Sequence, residues 1–291
     1  MSKLTFHITL FLLLVLTACV SIPSKHLTVS QRGNFSAVRD ANDCEIDQHK
    51  NIWQSYPAQK TELDSSGFRI LNWNVFKGIK EGWKDDFKNW ITSYDILTIQ
   101  EARLTDDMQK MLKKGHYNWD ISVAFKYNGK ETGVLTASRI VPEFTCTFRI
   151  KEPLASLPKT TMVTLYPLSN TDKTLMVVNI HSINLTLGTG SFKKQLQKVE
   201  NILSLHYGPV IISGDVNTWS GKRMAILKDF SNRLGLKAVP FNKQNRTRIF
   251  GRAVDHIYYR ELVVTDAAII KVTSSDHNPM LVTFRMEESG L

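Results

Sequence analysis

Eight polar residues stand in or beside apolar runs of this chain: Asn74, Glu101, His181, Asp215, Asn217, Asp255, Asp276 and His277. The segments that carry them read LNWN, ILTIQE, VVNIH, VIISGDVN, AVDHIYY and SSDHNP. Loops at one end of a rigid sheet are where reactive groups gather, because the scaffold fixes them within reach of substrate. Carboxylates and amide oxygens without a cysteine among them suit a hard cation such as Mg²⁺.

Such residues need strands to present them. Phe68–Val75 (FRILNWNV) and Asp95–Ile99 read as strands, as do Trp119–Phe125, Gly133–Ser138, Thr161–Pro167, Thr174–His181 and Pro209–Ser213. Three closing strands fall near 254–259, 266–272 and 280–285. Trp83, Phe87, Trp90 and Ile91 recur at helical spacing between Glu81 and Tyr94, and make a core stripe. Thr105 caps a short helix that Gly115 closes. Ser191–His206 buries Phe192, Leu196, Val199 and Leu203, and a last helix lies near Arg223–Leu234. Strands dominate and helices are interspersed. This is an α+β pattern, a two-layer β-sandwich with helices on its outer faces.

From about Phe68 to Phe284 the chain resembles the endonuclease/exonuclease/phosphatase superfamily, whose deoxyribonuclease-I-like fold has four layers, α/β/β/α. Gly214-Asp215-Val216-Asn217, then Val254-Asp255, then Ser275-Asp276-His277 carry the likeness. TGVLTAS, VVNIHSIN and GPVIISGDVNTWS are further similar to a bacterial branch of it. The resemblance implies Mg²⁺, with Mn²⁺ or Ca²⁺ as substitutes, on Glu101 with Asn74 and Asp276. It implies that His277 acts as general base or as a phosphate-orienting imidazole, with its tautomer set by Asp255. Asp215 and Asn217 would position the attacking water, and His181 would stabilise an oxygen or protonate the leaving group. Phe76 departs from relatives that carry an acid two positions after this Asn, so a second acidic ligand from that loop is in doubt. His181 leans away from the abasic-site repair branch. The implied activity is a Mg²⁺-dependent phosphodiesterase, foremost a nuclease on DNA or RNA. The alternatives are a phospholipid, sphingomyelin or inositol-phosphate phosphoesterase and a non-catalytic surface-binding protein. No exposed hydrophobic hairpin is evident in the sequence, which lowers the lipid reading.

Other polar residues have plainer readings. Arg246, Arg248, Arg252, Lys222 and Arg223 flank the site motifs and suit phosphate, or equally a solvated basic surface. His256 faces away from Asp255 by strand alternation and reads as structural. His116 and His206 sit at helix ends, Trp219 reads as packing, and Asp215 with Asn217 could form an Asx turn.

The chain has 291 residues, 37 Lys+Arg against 27 Asp+Glu, and a net charge of +10, which suits an anionic partner. Its 42% hydrophobic and 22% charged content excludes a disordered chain, and a single long apolar run excludes a polytopic membrane protein. Residues 1–18 read as a signal, with Lys3 ahead of an apolar stretch. Leu16-Thr17-Ala18-Cys19 resembles a lipobox, so Cys19 is expected to carry a lipid. That implies an exported bacterial lipoprotein, anchored in a membrane and facing the periplasm or exterior. Residues 19–67 read as a tether and partly ordered lead-in, 68–286 as the catalytic unit and 287–291 as a tail. A monomer is expected. Cys44 and Cys146 are a disulfide candidate in an oxidising compartment, but the polar setting of Cys44 favours free thiols.

Overall fold

The computed structural model describes residues 20–31, 62–155, 157–242 and 244–287. In chain order the strands are β1 (Val20–Ser21), β2 (Leu27–Ser30), β3 (Phe68–Asn74), β4 (Ile96–Arg103), β5 (Asn118–Tyr127), β6 (Lys130–Ser138), β7 (Phe144–Lys151) and β8 (Pro158–Pro167). They continue as β9 (Thr174–His181), β10 (Val210–Asp215), β11 (Lys237–Ala238), β12 (Arg248–Ile249), β13 (Arg252–Ala253), β14 (Asp255–Arg260), β15 (Leu262–Ile269) and β16 (Met280–Met286). The helices are α1 (Trp83–Ile91), α2 (Asp106–Lys114), α3 (Gly190–Leu203) and α4 (Gly221–Arg233).

Alternation along β3 sends Phe68 and Ile70 to one face and Leu71 and Trp73 to the other. Both faces are therefore covered. One sheet runs β1-β5-β6-β4-β3-β16-β15, with β2 also on β5, and the other runs β11-β14-β10-β9-β8-β7. Phe68, Ile70, Val177, Ile211, Ile257 and Phe284 pack between the sheets. Trp83 and Phe87 of α1 and Met108 and Leu112 of α2 cover the first sheet's outer face. Phe192 and Val199 of α3 and Leu227 and Phe230 of α4 cover the second. Each fully buried side chain of this kind contributes about 1.5–3 kcal/mol. The four-layer α/β/β/α sandwich expected from the sequence is the fold. Among the described residues no helix is long and apolar enough to cross a membrane.

The helix stripes land as expected. Thr105 accepts from the Met108 amide at 3.2 Å, and Trp90 meets Trp73 edge-on at 5.2 Å. Strand β7, at an edge of the second sheet, was not expected, although its apolar positions alternate with Thr145, Thr147 and Arg149 as a strand's should. The start of the expected tether is also built into the fold: β1 and β2 pair with β5. Thr28 bonds Thr147 of the other sheet at 2.7 Å, and His26 is buried. Leu63 is buried and bridges Leu168, so the folded unit begins before Phe68.

Cys146 is disulfide-bonded, which corrects the preference for free thiols. The chain's other cysteines, Cys19 and Cys44, lie outside the described residues, as does the whole expected signal.

Candidate active site

Three strands of the second sheet end abreast. Parallel pairing sets Asp215 of β10 opposite His181 of β9, and antiparallel pairing sets it opposite Asp255 of β14. The row needs close strands at Gly214, which has φ +152 and where a Cβ would fall 1.9 Å from the Ile180 carbonyl. Across the sandwich, Asn74 at the end of β3 donates from Nδ2 to Asp215 Oδ2 at 3.2 Å. One hydrogen bond thus joins the two sheets at this end of the sandwich. Beneath it, Gln100 Nε2 bonds Asn72 at 2.9 Å and Asn179 at 2.7 Å, and Ser213 reaches Thr98 at 2.9 Å. This buried polar layer fixes the sheets' relative placement.

His277 enters from the loop before β16. Trp73 Nε1 donates to its carbonyl at 2.9 Å, while Ser275 Oγ accepts its amide at 3.1 Å and donates to the Asn74 carbonyl at 2.7 Å. Its Nδ1 donates to Asp255, 2.9 and 2.8 Å from the two carboxylate oxygens. Its Nε2 lies 3.9 Å from Asp215 Oδ2. Burial opposes a charge on His277, but the carboxylates of Asp255 and Asp215 outweigh it and push the imidazole up to about 10. In its protonated form the imidazole donates from Nε2. Burial raises the Asp215 carboxyl, against the pull of His277.

His181 is held well below its ordinary value by burial and then by Lys159. Lys159 Nζ lies 2.8 Å from His181 Nε2, so the lysine donates and the neutral ring carries its proton on Nδ1. Gln195 holds the loop beyond: its Nε2 donates to the His181 carbonyl at 3.1 Å, and its Oε1 accepts the Ile183 amide at 2.9 Å.

Glu101 occupies a register shift in β4, with φ +50. Burial raises its carboxyl, but Lys77 and Lys159 outweigh this and lower it, and Lys77 hydrogen-bonds it directly. Among the described residues, Asp215, Asp255 and His277 form a group whose candidate ligand atoms lie within 4.8 Å of one another. The Nδ1 of His277 in this group is already engaged by Asp255. Glu101 and the exposed Asp276, with Asn74 at the same end, are hard oxygen donors outside that group. Their oxygen chemistry suits a hard divalent cation.

The sequence readings fare unevenly. Asn217 does form the Asx turn, its amide donating to Asp215 Oδ1 at 3.1 Å, and its Nδ2 donates to the Ser182 carbonyl at 3.0 Å. Arg223 is no phosphate ligand. It is buried and donates to the carbonyls of Ile183, Asn217 and Asn184. Arg246 is also engaged, donating to the Asp255 carbonyl at 2.9 Å. Lys222, Arg248 and Arg252 are exposed. His256 is structural, with Nε2 2.7 Å from Thr218 Oγ1. His206 bonds the Pro209 carbonyl at 3.2 Å, and His116 is exposed. Trp219 packs against the Arg223 guanidinium at 4.7 Å and donates to Asn184 Oδ1 at 2.9 Å.

Lys77 and Lys159 went unread, since nothing marks a lysine whose partner is remote in sequence. Leu154, Leu185 and Leu187 are 57%, 51% and 85% exposed, on two loops joined by a bond from the Leu154 amide to the Leu185 carbonyl.

A model described as the Endonuclease/Exonuclease/phosphatase family matches residues 71–277. A UPF0294 protein of Yersinia enterocolitica is 34% identical over 236 residues, covering 81% of this chain and 90% of its own. The human Nocturnin catalytic domain, solved with bound sulfate, is similar with a TM-score of 0.58 at 17% identity, covering 78% of this chain and 97% of its own. ANGEL2, a 2',3'-cyclic phosphatase solved with adenosine-2',3'-vanadate, gives a TM-score of 0.55 at 13% identity, covering 78% and 98%.

Proposed function

Since the chain belongs to the endonuclease/exonuclease/phosphatase family, we propose that it is a Mg²⁺-dependent phosphodiesterase, and foremost a nuclease acting outside the cytoplasm. The observation that carries this reading is the Asp255–His277 pair beside Asp215, with Asp215 bonded across the sandwich to Asn74. When bound by Glu101, Asp276 and Asn74, a divalent cation would neutralise a phosphoryl oxygen. The imidazolium of His277 donates from Nε2 to another. Asp215, its carboxyl raised by burial, orients the attacking water and takes its proton. Lys159, held on His181, supplies a positive charge and a proton for the departing oxygen.

A nucleic acid substrate is supported by the net charge of +10 and by the exposed Lys222, Arg248 and Arg252 near the Asp215 and Asp255 motifs. Export as a lipoprotein is supported by the lipobox-like residues before Cys19 and by the disulfide at Cys146, since disulfides persist in oxidising compartments. A lipid phosphodiester is the second reading, favoured by the exposed leucines near His181 in the chain. The test incubates purified protein with plasmid DNA, single-stranded DNA, RNA, sphingomyelin and inositol phosphates, with Mg²⁺ or EDTA. Cleavage of a nucleic acid is expected. Hydrolysis of sphingomyelin or an inositol phosphate with every nucleic acid spared would sink the nuclease reading.

A further inference from the structure

Two left-handed backbone segments bring Lys77 and Glu101 together. Phe76 and Lys77 have φ of +48 and +60, and Glu101 has φ +50, a region that a side chain disfavours. The lysine turn is held by the Phe76 amide on Asn74 Oδ1 at 3.1 Å and the Gly78 amide on the Val75 carbonyl at 2.9 Å. At Gly78 a Cβ would come within 2.8 Å of the Trp83 indole. From this turn the Lys77 ammonium reaches Glu101 Oε2 and lies 4.9 Å from the Phe76 ring centroid. The pair is largely buried, its side chains 22% and 20% exposed, and both partners sit on backbone that a side chain disfavours.

Glu101 is the carboxylate on which the proposed activity places its metal, and Lys77 already occupies one of its oxygens. An ammonium and a divalent ion compete for that oxygen. We propose that Lys77 is a placeholder cation, which holds Glu101 until a divalent ion displaces it and then binds the phosphate of the substrate. The inference rests on the reading of Glu101 as a metal ligand. The turn after Asn74, where a second acidic ligand was in doubt, delivers a competing positive charge instead.

The test is titration of Mn²⁺ by calorimetry into substrate-free, full-length protein as wild type, Lys77→Met and Lys80→Met. Lys80 lies 5.5 Å from the same Phe76 ring and controls for loss of charge alone. Lys77→Met is expected to bind Mn²⁺ about tenfold more tightly than wild type. Lys80→Met is expected to stay within about twofold. At saturating Mn²⁺, Lys77→Met raises KM for bis(p-nitrophenyl) phosphate about fivefold or more. Unchanged or weaker Mn²⁺ binding by Lys77→Met, or equal tightening by Lys80→Met, overturns the proposal, and an unchanged KM overturns its phosphate half. Should Lys77→Met fail to fold, Lys77→Gln carries the same expectations. Mn²⁺ binding that tightens in a protein hydrolysing no diester would defeat the proposed function and leave this inference standing. Hydrolysis with unaltered Mn²⁺ affinity would do the reverse.

Discussion

Asp255 holds the His277 Nδ1 proton from both carboxylate oxygens, and that contact does most to raise the pKa of the buried imidazole. Asp255→Asn keeps the size of the side chain and removes its charge. It is expected to cut kcat by about 10²–10⁴-fold, because His277 loses both its tautomer and its charge. The His277 pKa, followed by NMR of the ring protons, should fall toward the ordinary histidine range. These residues were legible because a short polar side chain closing an apolar strand has few structural uses. Lys159 was not, because lysine is commonplace on surfaces and its partner His181 lies 22 residues away on the neighbouring strand. Arg223 was misread for the converse reason: nothing local announces that three carbonyls will enclose a guanidinium.

At the scale of elements, β10 sits between β9 and β14, and Gly214 sets how closely β9 approaches. Gly214→Ala forces a Cβ into the Ile180 backbone and is expected to destabilise the protein by about 3 kcal/mol or more, measured by urea unfolding. On β14, burial holds the His256 imidazole down to about 4, with Arg246 adding to the effect. The unfolded ring titrates near 6.5, so protons bind the unfolded chain preferentially between these values. The resulting stability is complete above pH 6.5 and is lost as pH falls through 4. At pH 5 the loss is about 2 kcal/mol relative to pH 7, and His256→Gln should abolish that portion of the pH dependence. The glycine before Asp215 was visible in the sequence as part of a motif. Its necessity was not, because the neighbour it must clear is contributed by β9.

For the whole molecule, the two-sheet plan was readable because apolar runs of strand length outnumber helical stripes, and because those stripes are one-sided. The docking of β1 and β2 on β5 was hidden by the shortness of both strands, two and four residues long. Cys146 lies among the buried side chains beneath α3 and α4, so its disulfide ties that packing layer to a remote part of the chain. Dithiothreitol is therefore expected to lower stability by about 2–4 kcal/mol, read as a shift in the thermal midpoint. The site draws on both sheets, with Asn74 and Glu101 from one and His181, Asp215 and Asp255 from the other. The most direct test is hydrolysis of bis(p-nitrophenyl) phosphate by wild type, Asp215→Ala and His277→Ala, with EDTA and then with added Mg²⁺. Turnover by wild type that EDTA abolishes and Mg²⁺ restores, with at least a hundredfold loss in both variants, is expected. Turnover that survives in both variants, or proceeds unchanged in EDTA, would contradict a metal-dependent phosphodiesterase built on these residues.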